Sequence, residues 1–226
     1  MDAFPDAVAL DTQLAADVAR ALREAIAARG AASLAVSGGS TPRGLFRALA
    51  RTPLEGSRVS ITLVDDRWVN ADSPDSNARL VREQLLVGDA AAATFVPLLD
   101  ATVAPRDGLA AADARLATLP WPLDVALLGM GNDGHTASLF PCADETPPLL
   151  EADCPARLAI VHPRTAPHAR ITMTLPALAA ARQLWLHIVG DGKRQVLENA
   201  LADGTLPVAR VLRAAAQSRI YWTAHA

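Results

Sequence analysis

One local order recurs along the chain and constrains its fold more than any other feature: a short apolar run, a turn rich in glycine or charge, then a helical pattern. Residues 33–36 are such a run and end at Ser37-Gly38-Gly39-Ser40-Thr41. Pro42 follows, where a helix favours proline as its first residue. Val59, Ile61 and Leu63 alternate as a strand does and stop at Asp65-Asp66-Arg67-Trp68. Residues 123–128 feed Gly129-Met130-Gly131-Asn132-Asp133-Gly134-His135, and residues 184–189 feed Gly190-Asp191-Gly192-Lys193 and a helix to Leu201. Strands that alternate with helices imply an α/β fold with a mainly parallel sheet. In such sheets ligands bind beyond the carboxyl ends of the strands. Every polar turn just named stands at such an end.

The remaining segments fit this frame. Leu10, Leu14, Val18, Leu22 and Ile26 recur every four residues and Gly30 follows, which predicts an amphipathic helix with a glycine cap. Leu45, Phe46 and Leu49 supply the apolar face of the helix after Pro42. Residues 77–86 and 107–119 read as helices, and 94–98 as a weak strand limited by its proline. Residues 142–155 read as a long loop. Residues 158–162 and 171–175 read as strands around 163–168, a pair that admits an antiparallel arrangement. Residues 208–215 are a last helix and 219–222 a last strand, with 33–36 the first.

The chain has 226 residues, 51% of them hydrophobic, enough for a substantial core built from Ala, Leu and Val. No repeat or low-complexity linker divides it. The net charge of −3 offers no basic face for nucleic acid. No apolar stretch reaches the length of a membrane span. Asp2 and Asp6 replace the basic region that a secretory leader needs. Cys142 and Cys154 share one proline-rich loop and make no disulfide framework, so two reduced thiols in a cytoplasmic protein are expected.

Five segments carry chemistry. A strand, the turn Ser37–Gly38–Gly39–Ser40–Thr41 and a helix start form a site for an anion, most often phosphate, or else an ordinary capped turn. The lysine of a Walker A loop is missing, and Ala35 stands where a nucleophile elbow has its first glycine. Gly129-Met130-Gly131-Asn132-Asp133-Gly134 matches the spacing of a dinucleotide fingerprint. Yet Pro141 follows too soon for the long helix which that fingerprint opens, and Glu151 and Asp153 lie in a loop rather than at a strand end. His135, two residues after Asp133, suits proton transfer near neutral pH, with the carboxylate fixing its tautomer; a turn-stabilising histidine is the other reading. Arg67, beside Asp65 and Asp66, suits an oxyanion, a carboxylate or a phosphate, or simply a surface ion pair. Arg170 and Lys193 are phosphate partners or solvated charges. The other histidines show no zinc spacing.

Taken as an ordered set, several runs resemble the glucosamine-6-phosphate isomerase/6-phosphogluconolactonase family. They are Ser37-Gly-Gly-Ser-Thr-Pro42, Asp65-Asp-Arg-Trp-Val69, Asp75-Ser-Asn77, Gly129-Met-Gly-Asn-Asp-Gly-His-Thr-Ala-Ser-Leu-Phe-Pro141, Arg170-Ile-Thr-Met-Thr-Leu-Pro176 and Gly190-Asp-Gly-Lys193. The resemblance spans nearly the whole chain. It implies one domain over residues 1–226 with a Rossmann-like three-layer α/β/α fold. It implies hydrolysis of 6-phospho-D-glucono-1,5-lactone in the pentose phosphate pathway, with no cofactor or metal. The expected partner is that small sugar-phosphate lactone, met by a monomer or small homo-oligomer that binds neither nucleic acid nor membrane. The family's deaminases carry D-G-H-I-A-F-N-E-P, whose glutamate pairs with the histidine. Here Leu139-Phe140 replaces Asn-Glu, which favours the lactonase. On this reading His135 is the acid/base, oriented by Asp133 or Asp65, and Arg67 steadies the oxyanion. Ser37, Gly38, Gly39, Ser40, Thr41, Arg170 and Lys193 hold the phosphate, and Ser138 is structural. A deaminase/isomerase and a non-catalytic sugar-phosphate sensor are the alternatives.

Overall fold

A computed structural model describes residues 1–100 and 102–225. The chain begins with β1 (Asp2–Phe4), α1 (Ala7–Arg29), β2 (Ala32–Val36), α2 (Arg43–Leu49), β3 (Val59–Leu63) and β4 (Asp65–Arg67). There follow α3 (Asn77–Gln84), β5 (Thr94–Phe95), α4 (Pro105–Leu116), β6 (Val125–Leu128), α5 (Thr146–Leu149) and β7 (Leu158–Val161). The last part holds β8 (Arg170–Met173), α6 (Leu175–Ala179), β9 (Gln183–Val189), α7 (Asp191–Asp203), α8 (Pro207–Ala214) and β10 (Ser218–Thr223). Among the described residues no helix is long and apolar enough to cross a membrane.

The main sheet has seven strands in the order β1-β10-β9-β6-β2-β3-β5, and every pair in it is parallel. This is the α/β architecture that the strand–helix alternation predicts. Central strands of such a sheet are covered on both faces, so every residue of β2 and β6 is buried. Helices flank the sheet. α1 lies against β2, β6 and β10 and packs on α2, while α8 packs on α6 and α7. Leu10, Leu14, Val18 and Leu22 are fully buried, as their spacing requires, and Gly30 closes α1 in the left-handed conformation at φ 82°.

The order of the strands locates the binding crevice. From β2 the chain moves outward through β3 and β5. It then returns to the other side of β2 with β6 and proceeds through β9 to β10. The direction therefore reverses between β2 and β6, and that switch point is where open α/β sheets bind ligands.

Several elements depart from the expectation. A strand precedes residues 33–36: β1 pairs with β10 at the sheet edge, with Asp2 opposite Tyr221. A second, three-stranded antiparallel sheet, β4-β8-β7, stands beside the first. It makes the antiparallel pair that residues 158–175 admit, but β8 stops at Met173 and α6 takes over at Leu175. The loop 142–155 contains the short helix α5, started by Pro147 and Pro148 in its first turn. Pro42 caps α2 from outside, and the helix begins at Arg43.

The two ends of the chain are joined through a buried carboxylate. Asp17 of α1 is 1% exposed and accepts from the Tyr221 hydroxyl at 2.8 Å and from Arg219 at 3.0 Å. Burial opposes its charge, but the Tyr221 and Gln13 hydrogen bonds and the nearby arginines leave it below the usual carboxylate value. Tyr221→Phe deletes one donor to a buried anion and is expected to lower unfolding stability by about 1–3 kcal/mol. Urea titration checks this, with the slope m unchanged.

Candidate active site

Two loops meet at the switch point. The Ser37 hydroxyl accepts from Gly129 N–H at 3.1 Å, and Ser37 N–H donates to Leu127 carbonyl at 3.0 Å. These bonds clamp the end of β2 to the end of β6. Gly39 has φ 94°, a left-handed conformation that glycine adopts without steric cost. A Cβ on Gly38 would lie 1.9 Å from Asn77 Oδ1, so the loop is pressed directly on the start of α3.

The histidine turn is equally close-packed. Gly134 N–H donates to Gly131 carbonyl and Gly131 N–H to His135 carbonyl, both at 3.0 Å. His135 Nδ1 stands 2.5 Å from Asp133 Oδ1. A Cβ on Gly131 would fall 2.2 Å from His135 Cε1 and 2.7 Å from Asp133 Oδ1, so only glycine leaves room for the pair. Burial works against the Asp133 charge, but hydrogen bonds and charge from His135 hold its carboxyl below the usual range. The other face of the ring stacks on Phe140, with centroids 4.0 Å apart. The His135 side chain is 27% exposed. No helix opens at these glycines. The chain passes through the Thr136–Leu139 bridge before α5, which removes the geometry a dinucleotide would need.

The second sheet brings the charged groups. Arg67 and Arg170 are opposite one another across β4 and β8. Each makes one hydrogen bond to a carbonyl, Arg67 to Asp75 at 2.7 Å and Arg170 to Pro167 at 3.2 Å. The Nε atom of each is buried and has no hydrogen-bond partner. Burial, then repulsion from Arg67, lowers the pKa of Arg170. Two adjacent guanidiniums with unmet donors have the chemistry to pair with an anion. Asp66 turns away to cap α3. It accepts from Arg67, Asn77 and Ala78 N–H groups, and burial nevertheless pushes its carboxyl up to about 6. Asp65 accepts from the Ser138 hydroxyl at 2.6 Å. Asp133, not Asp65, therefore holds the imidazole here, and Ser138 has a positional role.

One cavity of about 210 Å³ gathers these parts. Ser37, Gly38, Gly39, Ser40, Thr41, Asp65, Arg67, His135, Arg170 and Lys193 all line it, and Asp133 stands behind His135. Burial lowers the pKa of Lys193. Asn77 and His187 also line the cavity, though the sequence marks neither as a site residue. Asn77 lies in a recognised run, and its Nδ2 donates to Asp65 carbonyl at 2.9 Å. His187 is hidden in an apolar strand pattern that carries no signal for a site. Among the described residues no group of three or more His, Cys, Asp or Glu side chains is placed to hold a metal ion.

Comparison with known proteins identifies the family. A family model described as glucosamine-6-phosphate isomerases/6-phosphogluconolactonase matches residues 5–222. The chain belongs to this family. A member from Mesorhizobium japonicum, named 6-phosphogluconolactonase, is 46% identical over 98% of this chain and 94% of its own. One of the same name from Rhizobium meliloti is 46% identical over 98% of this chain and 97% of its own. The crystal structure of a 6-phosphogluconolactonase from Shewanella baltica superposes with a TM-score of 0.93 at 42% identity, covering 98% of this chain and 96% of that one.

Within this isomerase/lactonase fold, the Ser138–Asp65 bond ties the histidine turn to the second sheet. Ser138→Ala leaves a buried carboxylate oxygen without that donor. The expected loss is about 1–3 kcal/mol of unfolding stability, read from chemical denaturation.

Proposed function

We propose that the chain hydrolyses 6-phospho-D-glucono-1,5-lactone to 6-phospho-D-gluconate, a reaction of the oxidative pentose phosphate pathway. The observation that carries this reading is the shared cavity: an imidazole held by a carboxylate faces the same space as a Gly/Ser/Thr loop and a half-buried lysine. The relatives named 6-phosphogluconolactonase support it.

The phosphate sits on the Ser37–Thr41 loop with Lys193 and Arg170, which leaves C1 of the lactone beside His135. Asp133 accepts from Nδ1–H of the ring, so Nε2 carries the lone pair. Nε2 takes a proton from water as the water oxygen bonds to C1. Negative charge then collects on the former carbonyl oxygen, where Arg67 stabilises it. The tetrahedral intermediate expels the ring oxygen, and the imidazolium returns its proton to that oxygen. The carboxylic acid so formed ionises in solution. No covalent nucleophile takes part, since a lactone also opens slowly in water.

Phe140 decides between the family's two activities. It occupies the position that holds glutamate in the deaminase run, and it covers a face of the His135 ring with an apolar side chain. A group for sugar ring opening is thereby replaced by a hydrophobic wall. Ammonia release from glucosamine-6-phosphate is accordingly expected to be undetectable.

His135→Ala is expected to lower turnover of fresh lactone by about 10²–10⁴-fold, after correction for spontaneous opening. Binding of 6-phosphogluconate should be nearly retained. Turnover equal to wild type would overturn the acid/base role. Lys193→Ala and Arg170→Ala should chiefly raise KM, as loss of uniform binding does, and an unchanged KM in steady-state assays would remove them from the phosphate site.

A further inference from the structure

His187 and Asp11 form a buried polar pair with no role in the scheme above. His187 lies on β9, is 4% exposed, and lines the cavity together with Ser40, Thr41 and Lys193. Its Nε2 is 3.4 Å from Asp11 Oδ1 of α1. Even so, neither ring nitrogen nor Asp11 Oδ1 has a hydrogen-bond partner, and all three atoms are buried. The pair is held in place by close packing: a Cβ on Gly44, in the first turn of α2, would lie 1.9 Å from Asp11 Oδ2. Buried polar atoms are almost always satisfied, so unpaired ones on a cavity wall point to a ligand.

The groups around the pair are few. Lys193 faces His187 from the start of α7, and Arg47 of α2 faces Asp11 from the far side. Tyr221, in register with His187 on β10, gives its hydroxyl to Asp17. His135, Asp65, Arg67 and Arg170 line the same cavity.

We propose that His187, seated by Asp11, is a further phosphate-contacting residue, and that a phosphate monoester binding here takes up one proton, shared between the ring and a phosphate oxygen. The proposal rests on the phosphate-anchoring reading above. Burial, aided by Lys193, holds His187 down at about 4, and burial raises Asp11 to about 6. Above pH 7 the free protein thus presents a neutral imidazole beside a carboxylate. If Nε2–H points at Asp11, Nδ1 has only a lone pair to offer. A phosphate dianion offers only acceptors as well. In that tautomer the two can meet only through an added proton, whether it resides on nitrogen or on oxygen. Affinity therefore falls as pH rises, by about tenfold per unit where one whole proton is taken up.

Calorimetric titration of the wild-type protein with 6-phosphogluconate, at pH 7.5 in buffers of different ionisation enthalpy, tests this. The expected result is uptake of about one proton and a Kd that weakens about tenfold per unit from pH 7 to 8.5. D-gluconate, which lacks the phosphate, should show no uptake. In His187→Gln the uptake should vanish and the slope flatten; uptake that persists there overturns the proposal, because Lys193 or His135 is then its source. Should that variant not fold, the His187 Cε1–H resonance of labelled wild type must shift on adding 6-phosphogluconate, and a stationary resonance overturns the proposal. Binding without proton uptake sinks this inference alone, whereas failure of 6-phosphogluconate to bind the wild type sinks the reading beneath it too.

Discussion

The pairing of β2 with β6 is the contact on which the site depends. The two strands are distant in sequence, yet they lie side by side in register from Leu34 opposite Val125 to Val36 opposite Leu127. Parallel pairing forces both carboxyl ends to the same edge. The Ser37–Gly129 hydrogen bond then fixes the spacing between the loop that follows one and the turn that follows the other. A Gly/Ser/Thr loop and an imidazole become neighbours through backbone geometry, before any side chain of the site makes a contact.

Much of this is legible in the residues themselves. A parallel sheet obliges its strands to end together, so the motifs at the ends of residues 33–36, 59–63, 123–128 and 184–189 could be expected to converge. The four-residue repeat of α1 and the apolar run of β6 follow from periodicity and burial. What escapes is whatever depends on a distant partner. Asp65-Asp66-Arg67 has no strand pattern, and becomes β4 only because β8 supplies the opposite ladder. Asp2–Phe4 is too short to signal a strand, and is one because β10 lies next to it. His187 reads as a polar interruption in an apolar run; its neighbour Asp11 sits 176 residues earlier, on a helix whose buried face is apolar at the flanking positions Leu10 and Leu14.

The same division holds within the site. Asp133 and His135 are close in sequence, and their hydrogen bond could be anticipated from spacing. Which carboxylate holds the ring could not, because Asp65 is bonded to the Ser138 hydroxyl, a contact between elements far apart in sequence. Ala137, the residue before it, adopts φ 49°, an uncommon conformation for a residue with a Cβ. Such local strain persists where surrounding contacts over-determine the backbone. Here those contacts are the bond of Ser138 N–H to Thr172 and the bond of Thr136 to Gly129 carbonyl.

The parallel edge pair β1–β10 has a practical corollary. Because Met1 precedes a strand that enters the sheet and Thr223 ends one that leaves it, the two ends of the described chain exit in opposite directions. Gly190 N–H donates to Thr223 carbonyl at 2.8 Å, three residues ahead of Lys193. An affinity tag or fluorescent fusion attached after β10 would emerge along the rim where the cavity lies, whereas the same cargo placed ahead of β1 would project from the far margin and leave that rim unobstructed.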